Sequence, residues 1–135
     1  MQEDEFYAHV QEVSHLETTD RAQAASEAVL ATLGEALTGG EAEDVAAQLP
    51  GELARILEDA DHDGTGCERD EFMNRVREHV RDRDIEADDA ERFTEAVTDV
   101  IAVTLTNDEV EDLNGQLDAE IQPLFENVDV DPEWA

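Results

Sequence analysis

Two stretches of this chain carry one pattern, and that repetition limits the fold more than any other feature. AVLATLGEALTGGEAEDVAAQLPGEL begins at Ala28, and AVTDVIAVTLTNDEVEDLNGQLDAEI begins at Ala96. At a constant offset of 68, Val29 meets Val97, Leu33 meets Ile101 and Leu37 meets Leu105. Identities follow at the same offset: Thr38, Glu41, Glu43, Asp44, Gln48, Leu49 and Glu52 meet Thr106, Glu109, Glu111, Asp112, Gln116, Leu117 and Glu120. The fronts of the two stretches agree at offset 66, where Asp4-Glu5-Phe6 and Val10 meet Asp70-Glu71-Phe72 and Val76. Two residues are therefore inserted in the second copy, around Asp82 to Ile85. Self-similarity at a fixed period is the signature of repeated supersecondary units.

Each unit reads as helices. Phe6, Val10 and Val13 fall on one helical face, as do Phe72, Val76 and Val80. A longer second helix carries Ala22, Ala25, Val29, Leu33 and Leu37 in the first unit, and Phe93, Val97, Val100, Ile101 and Leu105 in the second. Thr38-Gly-Gly-Glu41 and Thr106-Asn-Asp-Glu109 are capping boxes, in which threonine and glutamate each satisfy an orphan amide at a helix start. The helices that follow use Val45 and Leu49, or Val110, Leu113 and Leu117. Pro50 suits the first turn of a fourth helix burying Leu53, Ile56 and Leu57, and Asp118 caps its counterpart with Ile121, Leu124 and Phe125. No window alternates as a strand does. The expected class is all-α: a tandem repeat of two small units, about four helices each, packed into one compact bundle about a pseudo-twofold axis. Unit 1 takes residues 1–58, an acidic Gly/Asp linker 59–69, unit 2 residues 70–126 and an acidic tail 127–135.

Charge sets the environment. Thirty-eight acidic residues face eight basic ones, all arginine, for a formal net charge of -30. Self-repulsion of that size opposes compaction unless salt screens it, and at ~1 M salt the Debye length is about 3 Å. The balance points to a chain adapted to a high-salt cytoplasm. Disorder is excluded by the 40% hydrophobic content and its periodicity. Nucleic-acid binding is disfavoured by the lack of a basic patch. Arg69, Arg75, Arg77, Arg81 and Arg83 cluster, but acids interleave with them as helix-surface ion pairs would require. A single cysteine, Cys67, permits no internal disulfide. The start MQEDEFYAHV lacks a basic region followed by an apolar run, and no stretch approaches the ~20 apolar residues of a membrane helix. A cytoplasmic protein without membrane contact is expected.

Three features make the first unit similar to a prokaryotic family known as domain of unknown function 2267: the Asp-Glu-Phe start, the Ala-Val-Leu-x-x-Leu helix from Ala28, and above all LTGGEAEDVAAQLPGEL from Leu37 to Leu53. The resemblance extends over nearly the whole chain. The second unit departs where Gly39-Gly40 becomes Asn107-Asp108 and Pro50 becomes Asp118. The family implies a helical fold and brings no established activity, cofactor or site residue.

One segment nearly spells a calcium loop. With Asp59 at position one, Asp61 and Asp63 fill positions three and five, Gly64 takes the turn and Thr65 offers its carbonyl. Position twelve, normally a bidentate glutamate, is Asp70, and position eight, normally aliphatic, is Gly66. The flanks disagree with this register. Residues that EF-hand helices keep apolar fall on Glu58, Arg55, Ala54 and Gly51 before the loop and on Glu71, Asn74, Arg75 and Glu78 after it. Starting at Asp61 repairs the flanks, with Ala60, Leu57, Ile56 and Leu53 before and Met73, Val76 and Val80 after, but puts Phe72 at position twelve. A linker rich in Asp and Gly accounts for the run equally well. The candidate metal set is Asp59, Asp61, Asp63, Thr65 and Asp70, and weak association with calcium or another cation is the most it implies.

No other chemistry stands out. His9, His15, His62 and His79 lack the spacing of a zinc site. Phosphate loops, nucleophile elbows and dinucleotide fingerprints are absent from the sequence. Cys67, in acidic surroundings, has no feature that would activate a thiolate. The repeated polar residues Glu41, Asp44, Gln48, Glu109, Asp112 and Gln116 are the candidates for a paired interaction surface on the capping-box helices. Capping by itself accounts for acids at helix starts. The expectation is a non-enzymatic interaction or regulatory module with no cofactor and a protein partner of unknown identity, or a second copy of itself. The alternative is a calcium-responsive module using the Asp59–Asp70 loop.

Overall fold

The computed structural model describes residues 3–14, 16–37, 39–49, 51–60, 69–81 and 89–105, with helical backbone also at 111 and 115. Among the described residues six helices occur in order: α1 (Glu3–Ser14), α2 (Thr19–Ala36), α3 (Gly39–Ala46), α4 (Gly51–Asp59), α5 (Arg69–His79) and α6 (Ala90–Thr104). Among the described residues there is no strand.

Local chemistry sets the helix ends. Glu3, Asp4 and Glu5 place negative charge in the first turn of α1, where the helix dipole favours it. Thr18 is the N-cap of α2 in extended conformation, and its hydroxyl accepts from the Arg21 amide at 3.2 Å. At the far end Leu37 turns to ψ 155° while its N–H donates to the Gly34 carbonyl. Leu105 leaves α6 with the same ψ of 155°, its N–H donating to Ile101. Helix α3 begins one residue after Thr38, which lies outside the described residues, as do Pro50, Thr106 and Asp118.

Each helix contributes to one apolar core. Phe6 and Val10 of α1, Val29 and Leu33 of α2, Val45 of α3, Leu53 and Leu57 of α4, Phe72 and Val76 of α5, and Phe93, Val97 and Ile101 of α6 are all buried. They form one continuous cluster, with Val13, Ala54 and Ile56 packed on it half-buried. Removing one such large side chain from water favours folding by about 1.5–3 kcal/mol. Apart from the half-buried Val13 and Ile56, every described core position expected from periodicity is buried. Val110, Leu113, Leu117, Ile121, Leu124 and Phe125 lie outside the described residues.

The helices pack in a reciprocal pattern. Helix α1 lies on both α2 and α6, α5 lies on both α6 and α2, and α2 crosses α6 at the centre. Exchanging α1 with α5 and α2 with α6 leaves this set of contacts unchanged. Helices α3 and α4 pack on each other, and α4 also closes on α2. That last approach is very close: a Cβ at Gly34 would sit 2.6 Å from the Ala60 Cβ and 2.8 Å from the Leu57 carbonyl oxygen. Only a glycine lets the two backbones come so near.

Candidate functional site

The residues singled out for calcium are only partly in view. Asp59 is the last residue of α4 and Asp70 stands in the first turn of α5, both exposed. Asp61, Asp63 and Thr65 lie outside the described residues, as do His15, His62 and Cys67. Burial of the flanks follows the register that starts at Asp61. Leu53, Leu57, Met73, Val76 and Val80 are buried, whereas Glu58, Arg55, Glu71, Asn74 and Glu78 are exposed. In that register position twelve is the fully buried Phe72. Among the described residues no three His, Cys, Asp or Glu side chains could hold a metal ion.

The α3 surface is better defined. Ala42, Val45, Ala46 and Leu49 point into the core, while Asp44 and Gln48, one helical turn apart, are exposed on the opposite face. The backbone amides of Gln48 and Leu49 close the turn onto the carbonyls of Val45 and Ala46, at 3.1 and 3.0 Å. Glu41 is helical in backbone, and its side chain is outside the described set together with Glu109, Asp112 and Gln116.

A second arrangement escaped sequence reasoning. Where α1, α2 and α4 meet, the Glu3 carboxylate accepts from the Glu52 amide at 2.9 Å, so the first turn of α1 caps the N-terminus of α4 across 49 residues of chain. One turn further along α1, Tyr7 is only 4% exposed, packed edge-on to Phe6 with ring centroids 6.4 Å apart. Its hydroxyl is buried without a hydrogen-bond partner among the described residues. Burial pushes the phenol well above its ordinary value near 10, and the carboxylates of Glu52, Glu27, Glu3 and Asp4 push it further the same way. Glu27 stands on α2, where it accepts from the Gln23 side-chain Nε2 at 3.5 Å. The phenol therefore stays neutral in a strongly negative corner. Of this set Glu3 and Asp4 neighbour Tyr7 by helical spacing; Glu27 and Glu52 arrive through tertiary packing.

Arginines are held locally at several points: Arg21 by Glu17 at 2.8 Å, Arg75 by Glu71 at 3.1 Å and Arg92 by Asp89 at 3.4 Å. His79 of α5 meets Glu35 of α2 at 3.1 Å and ties the two helices at the surface. Among the described residues no helix is long and apolar enough to cross a membrane.

Fold and surface together define a class: a compact all-helical protein with one apolar core and a highly acidic exterior. Residues 3–124 match the family model described as an uncharacterized conserved protein, DUF2267, and the chain belongs to that family. No curated protein matches the chain.

Proposed function

We propose that this protein is a non-enzymatic helical interaction or regulatory module, built as two copies of one helical unit and adapted to a high-salt cytoplasm. The observation that carries the interaction reading is the α3 face. Asp44 on α3 and Gln48 in the turn that follows it stand exposed over an inner face locked into the core, and the same residue types recur at Asp112 and Gln116. A polar surface on a rigid support loses little conformational entropy on binding. The partner is another protein or a second copy of this chain.

The tandem reading is supported by helix positions and packing. Helix α5 starts 66 residues after α1, α6 ends 68 residues after α2, and the contacts map onto themselves when the pairs are exchanged. The salt reading rests on the net charge of -30.

A photo-crosslinking residue placed at Gln48 or at Gln116 tests the interaction reading in cell extract at molar potassium chloride. The expected result is one shared crosslinked product from both positions, lost when unlabelled chain competes and retained when the competitor carries Asp44→Lys. Labelling no stronger than from a control site at Glu5 on α1 would sink the reading. The calcium alternative separates cleanly: it requires a saturable response to calcium that Asp61→Ala and Asp63→Ala abolish.

A further inference from the structure

The corner formed by α1, α2 and α4 has a composition of its own. A phenol hydroxyl that is buried and without a partner among the described residues lies beside the Glu3 cap on α4, within electrostatic reach of the carboxylates of Glu3, Asp4, Glu27 and Glu52. A buried hydroxyl without a partner is an unfavourable state that any ligand satisfying it relieves. The surrounding charge selects a cation. The carboxylates do not converge on one point as a metal site requires. A planar guanidinium, with five donors in a fixed fork, can bridge acceptors that are spread apart. It also pairs favourably with an aromatic ring.

We infer that the Tyr7 corner is a receptor for an arginine side chain presented by a partner protein. The guanidinium donates to the Glu27 and Glu52 carboxylates and to the Tyr7 oxygen. In the free chain the hydroxyl is sealed, so binding opens the corner, at whose edge Glu52 is exposed on α4. Glu3 stays on the Glu52 amide and holds the corner's geometry.

The second half of the chain supplies an internal control. At the repeat offsets Asp4, Glu27 and Glu52 correspond to Asp70, Glu95 and Glu120, so the acids are kept. Tyr7 corresponds to Met73 and Glu3 to Arg69, so the phenol is lost and one charge is reversed. Met73 and Arg69 together remove the site from the second half, which leaves one site per chain.

This inference names the partner chemistry for the interaction reading above and rests on it. The test uses the full chain at the lowest salt that keeps its helicity complete, titrated with an acetyl-Gly-Arg-Gly-amide peptide and with its citrulline analogue. Tyr7 is the only tyrosine, so its ring resonances report the corner without ambiguity. The expected result is a saturable shift at Tyr7 and the Glu52 amide for the arginine peptide, one site per chain, and none for citrulline. Glu52→Gln, which keeps the amide that Glu3 caps, is expected to weaken binding about tenfold, the loss of one charge-assisted contact. Tyr7→Phe is expected to weaken it several-fold with the helix content unchanged. Equal shifts from both peptides, arginine shifts spread evenly over the acidic surface, or undiminished binding by Tyr7→Phe would each overturn the site. A chain that crosslinks its partner through Gln48 yet ignores the arginine peptide loses this site and keeps the interaction reading.

Discussion

Replacing Gly34 by alanine sets two known effects against each other. Within a helix the substitution gains about 1 kcal/mol from propensity alone. Against that, the new methyl stands 2.6 Å from the Ala60 Cβ and 2.8 Å from the Leu57 carbonyl oxygen. Carbon atoms rest at about 3.5–4.0 Å, so α4 must retreat by roughly 1 Å. The blocking oxygen belongs to backbone and has no rotamer to escape into. Overpacking of this kind costs about 1–3 kcal/mol. The clash wins: Gly34→Ala should lower stability by about 1 kcal/mol net. Gly40 in α3 is the control, with nothing within 4 Å of an added Cβ, and Gly40→Ala should be neutral or stabilising. Urea unfolding followed by circular dichroism in molar potassium chloride reads both. Adding Ala60→Gly to Gly34→Ala should return part of the loss, because the carbonyl clash remains. A Gly34→Ala chain more stable than its parent would refute the close approach of α2 and α4.

Four further outcomes are expected. Tyr7→Phe removes a buried, unpartnered hydroxyl and should leave the stability read by urea unfolding unchanged or raise it by up to about 1–3 kcal/mol; a clear loss would show that the hydroxyl has a partner. The folded Tyr7 phenol lies above its unfolded value near 10, so the stability it contributes is full below pH ~10 and is lost as pH rises beyond it. Tyrosinate absorbance should therefore appear only with alkaline unfolding, and early ionisation at pH ~10 with helicity intact would contradict the burial. Glu3→Ala uncaps α4 and should cost about 0.5–2 kcal/mol, seen as faster amide exchange at Glu52. At ~10 mM salt the Debye length is about 30 Å and a net charge of -30 is poorly screened, so helicity should fall and return in molar potassium chloride; full helicity at low salt removes the halophile reading.

Most of the described core was legible in the sequence because helical periodicity is a local property. Phe6, Val10, Leu33, Val76 and Ile101 declare their faces within their own helices, and all are buried. The calcium segment shows the limit of short motifs: the aspartate spacing suits one register, and the apolar flanks, which packing obeys, suit another. Gly34 reads as an ordinary helix glycine until α4 is laid against it. The Tyr7 corner was illegible for the same reason, since Glu27 and Glu52 lie 20 and 45 residues from Tyr7 in the chain and meet it only through packing. What sequence alone could have offered was the Glu3–Tyr7 spacing of one helical turn.

The tandem arrangement is the claim on which the rest depends, and one nuclear Overhauser contact tests it. Gly34 and Leu57 touch in the first half, and at offset 68 they become Ala102 and Phe125. If the chain is one helical unit written twice, the Ala102 methyl must lie against the Phe125 ring in molar potassium chloride, and a strong cross-peak between them is the predicted result. A Phe125 ring with no contact to Ala102 would mean that the second copy of the sequence does not fold like the first.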